Sequence, residues 1–446
     1  MSPLGAWHLN GHSGKIERMA HFKVVPSSIQ GEITIPPSKS HTLRAILFGA
    51  FAEGTTRIAN YLSSPDALAM IQACRLVGAK IAIHNHCLEI EGIAGNVRVF
   101  EDVIQAGNSG IVLRFLAAIA ALSSHYTVIT GDESIRHKRP VKALLDGLQQ
   151  LGALAISTRG DDFAPVIIRG PLLYEEVELD GKDSQPVSAL LIAAALRKAP
   201  TKIRVRNPGE KPWIDMTLHW FDLLGIPYQR REYELFEIPG HTKIKSFDYT
   251  VPGDLSSAAF PLAAAVVTGS EVTLQNIDMQ DIQGDKAFIS LLQQVGAPIE
   301  IDALSKSLKV RPGSSLNGAE VDINHFIDAL PIMAAVACFA TSETRIVNAG
   351  VAREKESDRL HVMATELKKM GATIQELPEG LVIQPSKLRG AALSSHNDHR
   401  VAMALTVAAL GAEGNSTIHQ TDCVSKTFPD FAQALQSLGV NIESVE

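Results

Sequence analysis

Aromatic residues make up only 5% of the 446-residue chain, and Cys74, Cys87, Cys338 and Cys423 are its four cysteines. With few aromatics, the cores must be built from Ala, Leu, Val and Ile in close contact. No cysteine pair has CxxC spacing, so neither a thiolate zinc site nor a disulfide framework is expected, and a reducing cytoplasm fits. No apolar run reaches about 18 residues without a polar break, so no spanning helix is predicted. Positive charge is not in excess: the net charge is −7, which speaks against a general binder of nucleic acid or anionic membranes. Any anion site must be a local basic pocket in an acidic protein. Residues 1–18 are rich in Gly, His and Ser, lack a signal-like apolar core, and read as an extension or tag-like segment.

What is present is glycine, 33 residues of it, and a 46% hydrophobic share ordinary for a globular enzyme. The length predicts about two to three domains. A Leu-rich helix end followed by Gly and a strand-like run recurs at Gly78, Gly152, Gly225, Gly296, Gly371 and Gly439. The spacing is roughly 70 residues throughout, which marks an internal repeat, and each Gly suits the residue just past a helix end. Upstream of each lies an Ala-rich run: 45–52, 111–123, 189–196, 258–267, 329–339 and 401–410. Short strands follow, as at 127–130 and 344–347. The order reads βαβαββ six times, an α/β fold. Because the first helix of each unit is apolar all round, it should be buried, with sheets outside it. That is a two-domain inside-out α/β barrel, three repeats per domain.

Two proline breaks divide the chain: Pro36-Pro37 and Val251-Pro252-Gly253. The predicted domains are therefore 1–37 with 252–446, discontinuous, and 38–251, inserted, with a cleft at the two crossings. At the first crossing, Pro36-Pro37-Ser38-Lys39-Ser40 opens a helix over 43–52, with Arg44 one turn on. Ser38 or Ser40 is placed to cap it, and the exposed N–H groups plus two cations suit a phosphate or carboxylate. The alternative is a capped surface helix with two solvated cations.

Similar polar clusters recur at equivalent points. They are Gly107-Asn108-Ser109-Gly110 with Arg114, where Asn108 is a candidate cap, and Arg136-His137-Lys138-Arg139; then Asp183-Ser184-Gln185, Glu210-Lys211-Pro212-Trp213 and Asp254-Leu255-Ser256-Ser257. They continue with His325 to Asp328, Arg353 to Arg359, Asn397-Asp398-His399-Arg400 and Ser425-Lys426. Pseudo-symmetry brings these helix starts to one cleft rich in cations with a few carboxylates, a setting for acid–base chemistry on anionic substrates. For Arg353–Arg359 alone, a solvated salt-bridged face is the competing interpretation. His41, His137 and His361 have no metal-ligand spacing, and no metal site is expected.

These motifs resemble the 5-enolpyruvylshikimate-3-phosphate synthase (3-phosphoshikimate 1-carboxyvinyltransferase) family of enolpyruvyl transferases. The resemblance rests on 36–44, 107–114, 138–140, 397–400 and 426–430, in order, and spans about residues 22–446. It implies that phosphoenolpyruvate and shikimate 3-phosphate yield an enolpyruvyl ether and phosphate, without a metal or organic cofactor. It further implies small-molecule partners; the cysteine usage and charge above predict a cytoplasmic enzyme with no nucleic-acid or membrane partner, and a monomer is expected. By the same resemblance, Lys39, Ser40 and Arg44 contact shikimate 3-phosphate, and Lys39 also faces phosphoenolpyruvate. Gly110, Arg139, Arg359, Arg400 and Lys426 surround phosphoenolpyruvate. Ser184 holds the shikimate phosphate, Gln185 lies between the substrates, and Lys355 binds shikimate 3-phosphate. Asp328 is the base on the 5-hydroxyl and Glu356 passes a proton to the methylene carbon. These two need opposite protonation states.

Four positions depart from the family's pattern. Ile111 stands where many members have Thr, Asp183 where Ser is common, and Glu210 and Trp213 where Ser and Tyr are common. A carboxylate beside a phosphate site calls for a neutralising partner, with Lys182, Lys211 and Arg206 the candidates. The sister transferase acting on UDP-N-acetylglucosamine carries a Cys before an Arg-Pro pair, and 131–139 contains none.

Overall fold

A computed structural model describes residues 20–313 and 315–445; the N-terminal extension expected over 1–18 lies outside the described residues. The fold is mixed α/β, with six four-stranded sheets. Each sheet contains one parallel and two antiparallel pairings, as where Glu176–Asp180 runs parallel to Thr201–Arg206 and the latter antiparallel to Leu235–Ile238. A parallel neighbour requires a crossover, and here an Ala-rich helix supplies it.

Those helices are buried on nearly every side. In Ser184–Leu196 every residue but Gln185 is buried, and in Leu330–Ala337 and His399–Leu410 every residue is. Alanine allows such helices to approach closely without voids. The second helices differ: Lys286–Gln294 buries Phe288, Ile289 and Leu292 and leaves its polar face outward. All six recurrent glycines have positive φ, from +66° at Gly225 to +111° at Gly296, and end helices as their spacing predicts.

Contiguous repeats were expected, but three sheets borrow a strand from far along the chain. Asp248–Thr250 pairs in parallel with Thr55–Ala59, and Gln30–Thr34 with Glu271–Gln275. His21–Val24 inserts between Ser416–His419 and Ile442–Val445. For the first two pairings the cause lies at the two proline breaks. Ser38 N–H donates to Pro252 O at 2.8 Å and Asp254 N–H to Pro36 O at 2.8 Å, so the outgoing and returning strands run side by side. Each therefore completes a sheet begun elsewhere.

Buried apolar residues fall into two clusters, one from Phe22–Ile35 and 255–442, the other from Leu43 to Val251. Among the described residues no helix is long and apolar enough to cross a membrane.

Candidate active site

Most of the buried helices begin earlier than their apolar runs. The first spans Lys39–Phe51, with Ser38 rather than Ser40 as N-cap, its hydroxyl accepting from His41 N–H at 3.4 Å. Lys39 and Ser40 therefore sit in the first helical turn. Arg44 is buried, donating to Thr217 Oγ1 at 2.9 and 3.1 Å, with its guanidinium 5.3 Å from the Phe115 ring centre. A solvated surface cation does not describe it. In Gly110–Ala120 the cap is Ser109, not Asn108, because Asn108 serves Lys426 instead, its carbonyl and side-chain oxygens accepting from Nζ at 2.8 and 2.6 Å.

All the residues singled out for substrate binding and catalysis line one cavity. Lys39, Ser40, Arg44, Gly110, Arg139, Ser184 and Gln185 reach it from between the two proline breaks. Asp328, Lys355, Glu356, Arg359, Arg400 and Lys426 reach it from beyond the second. Positive charge exceeds negative there, in a protein whose net charge is −7. Arg139 Nε and Arg400 Nη1 are buried donors with no partner among the described residues, and buried donors of this kind call for an acceptor.

The carboxylates are held between cations. Asp328 accepts from Arg359 Nη1 at 2.8 Å and from Arg400 Nη2 at 2.9 Å. Burial pushes its pKa up, but Arg400 and Arg359 outweigh that and hold it well below the usual carboxylate range. Glu356 accepts from Lys426 Nζ at 2.8 Å, from Arg359 Nη2 at 2.9 Å and from Arg139 Nη2. Burial again opposes, and Arg139, Lys426 and Arg359 again prevail, holding it well below its ordinary value. Opposite protonation states were expected of this pair; here the cations at hydrogen-bond distance favour the ionised form of each. Arg359, in the run read alternatively as a solvated face, is only 1% exposed and also donates to Asp398 at 2.8 Å. Burial lowers the pKa of Lys39, against the pull of Asp66 3.7 Å away.

At the other end, the partners expected for Asp183 and Glu210 are corrected. Asp183 pairs with Arg114 at 3.3 Å, and Glu210 with Lys355, rather than either with Lys182, Lys211 or Arg206. Lys182 and Arg206 lie on the outer side of the helix start, away from the cavity lining. Glu210 Oε2 also accepts from Ser184 N–H at 3.0 Å and Ser184 Oγ at 2.9 Å. Burial works against the Lys355 ammonium, but Glu210, Asp183 and Asp328 raise its pKa on balance.

Glu356, Asp398 and His399 offer atoms within 4.8 Å of one another, a spacing a metal ion could use. Their chemistry is wrong for one: both carboxylates are taken by guanidinium or ammonium groups, and a dication would face Arg139, Arg359 and Lys426. Burial holds His399 neutral, well below its ordinary pKa.

Asp66 and Thr217 escaped sequence reasoning. Asp66 follows Ser64-Pro65, a helix-start pattern like the others, and that signal could have found it. Thr217 sits mid-helix in Lys211–Leu224 with no such mark.

A family model described as EPSP synthase (3-phosphoshikimate 1-carboxyvinyltransferase) matches residues 24–435. The 3-phosphoshikimate 1-carboxyvinyltransferase of Chlamydia abortus is 45% identical over 428 residues, 95% of either chain. That of Acetivibrio thermocellus is 44% identical over 425 residues, 95% of this chain and 100% of the relative. The EPSP synthase structure from Acinetobacter baumannii superposes with a TM-score of 0.80 at 29% identity, covering 96% of this chain and 100% of that one. With a cavity of this make-up reached from both sides of the crossings, and likeness along its whole described length, the chain belongs to the EPSP synthase (3-phosphoshikimate 1-carboxyvinyltransferase) family.

Proposed function

We propose that this chain transfers the enolpyruvyl group of phosphoenolpyruvate to the 5-hydroxyl of 3-phosphoshikimate and releases phosphate, the sixth step of the shikimate pathway. The observation that carries the assignment of roles is the pair of clamped carboxylates, Asp328 between Arg359 and Arg400 and Glu356 between Arg139, Arg359 and Lys426. A binder of anions gains nothing from two carboxylates; acid–base transfer needs both.

Asp328 is ionised and available to take the 5-hydroxyl proton. Arg139, Arg400 and Lys426, with Gly110 giving backbone room, receive the anionic groups of phosphoenolpyruvate. Those anions draw Arg139 and Lys426 away from Glu356 and add negative charge beside it, so its pKa rises and it can carry a proton. The proton goes to the methylene carbon, and the acceptor oxygen bonds to the neighbouring carbon. The tetrahedral adduct then loses a methyl proton and its C–O bond to phosphate, restoring the double bond. Lys39, between the substrates, offsets charge in both steps. Ser40, Arg44, Gln185, Ser184 and Lys355 orient the acceptor. No metal or organic cofactor is required by this chemistry.

The same proposal includes two domains, 1–37 with 252–446 and 38–251, as an inside-out barrel of three repeats each. The two apolar clusters and the paired strands at Pro36 and Pro252 support that division. A cytoplasmic monomer completes it, in keeping with four unpaired cysteines. Phosphate release from phosphoenolpyruvate with shikimate 3-phosphate, against UDP-N-acetylglucosamine as control, tests the function. Release with the control alone, or with neither acceptor, would overturn it.

A further inference from the structure

The N-terminus of helix Ser184–Leu196 is an anion seat already taken by the protein itself. Ser184 contributes its N–H and its hydroxyl, and Lys355 its ammonium, and all three donate to one side chain, Glu210. Glu210 holds the N-cap position of helix Lys211–Leu224 but makes no side-chain cap bond there. Its backbone takes the left-handed conformation, φ +45° and ψ +40°, uncommon for Glu. Asn324 Oδ1 fixes it by accepting from Glu210 N–H at 2.9 Å. The carboxylate is thereby turned off its own helix and onto the neighbouring one, with its side chain 3% exposed. Arg114 is engaged by Asp183.

Ser184 and Lys355 are the donors that the proposed function assigns to the acceptor, Ser184 to its phosphate. A phosphate there must displace the Glu210 carboxylate or lie against it, and like charges in a low-dielectric pocket repel strongly. A hydroxyl in the same place can share the existing hydrogen bonds. We propose that Glu210 is the specificity-determining residue of the acceptor subsite. As a resident anion, it weakens binding of a phosphorylated acceptor and narrows the preference over the unphosphorylated one. This rests on the transferase assignment above, and its test separates the two.

Calorimetric titration of the wild-type protein with shikimate 3-phosphate and with shikimate gives the preference without needing turnover. We expect the two affinities to lie within about tenfold to a hundredfold of each other; a preference beyond a thousandfold would overturn the proposal. Glu210→Ser and the near-isosteric Glu210→Gln should each widen the preference at least tenfold, in titration and in kcat/KM. The KM for phosphoenolpyruvate serves as internal reference. If Glu210→Gln keeps its fold and the preference is unchanged or narrower, Glu210 does not set it. If neither acceptor binds the wild-type protein and no phosphate is released, the transferase assignment itself fails and takes this proposal with it.

Discussion

Lys426 reaches Asn108: its ammonium lies 2.8 Å from the Asn108 carbonyl oxygen, 318 positions away in sequence, while also 2.8 Å from Glu356. Glu210 N–H to Asn324 and Arg139 to Glu356 span the same divide. These contacts bridge the cavity from both sides of the proline crossings, two of them through charged side chains. Charged contacts exchange readily for substrate anions, so the free protein should open and close about the crossings. Solution scattering is expected to show the radius of gyration falling when shikimate 3-phosphate saturates the protein. An unchanged radius in a protein that is open when free would contradict this.

Lys39 stands in the first turn of the helix at the crossing, with its side chain mostly buried and its nearest carboxylate, Asp66, 3.7 Å away. Lys39→Met keeps the stem and removes the charge. Turnover should fall by several powers of ten, with the thermal midpoint within a few degrees of wild type. Near wild-type turnover would exclude Lys39 from the site.

Asp285 gives a pH dependence of stability. Burial, aided by Asp328 and Asp254 and opposed by Arg400, pushes its carboxyl up to about 8. In the unfolded chain it titrates near 4, roughly the reference value. Between those values the folded protein keeps the proton and the unfolded chain has lost it. Rising pH therefore costs folded stability, by up to about 1.4 kcal/mol per pH unit in that window. The stabilising contribution is complete below about pH 4 and lost through about pH 8. Asp285→Asn removes the titration, so its thermal midpoint relative to wild type should rise from pH 5 to pH 8. A pH-independent difference would contradict the assignment.

Much of this fold was legible because its signals are local. The six glycines at helix ends and the apolar runs between them are each a few residues long, and the structure places an ended helix at every one. The starts of four of these helices, at Lys39, Ser184, Leu255 and His399, were read late by two or more residues. Lys39-Ser40, Ser184-Gln185 and His399-Arg400 look like loop by polarity, yet they are first-turn residues whose side chains face the cavity. The borrowed strands at Asp248–Thr250, Gln30–Thr34 and His21–Val24 were not legible, since which sheet a short strand joins depends on where the chain returns. Partner choice was the hardest part. Glu210 sits next to Lys211 in sequence, but its left-handed backbone aims it at Ser184 and Lys355 instead.

Asp328 and Glu356 as base and acid are the centre of the account, and product analysis tests them most directly. Wild type and Asp328→Ala, each incubated with phosphoenolpyruvate and shikimate 3-phosphate, are to be quenched and the products weighed by mass spectrometry. The wild type should give the enolpyruvyl ether and one phosphate per ether, and the variant at most about a thousandth of that rate while keeping its fold. Ether formed by the variant at the wild-type rate, or none formed by a folded wild type, would contradict the account.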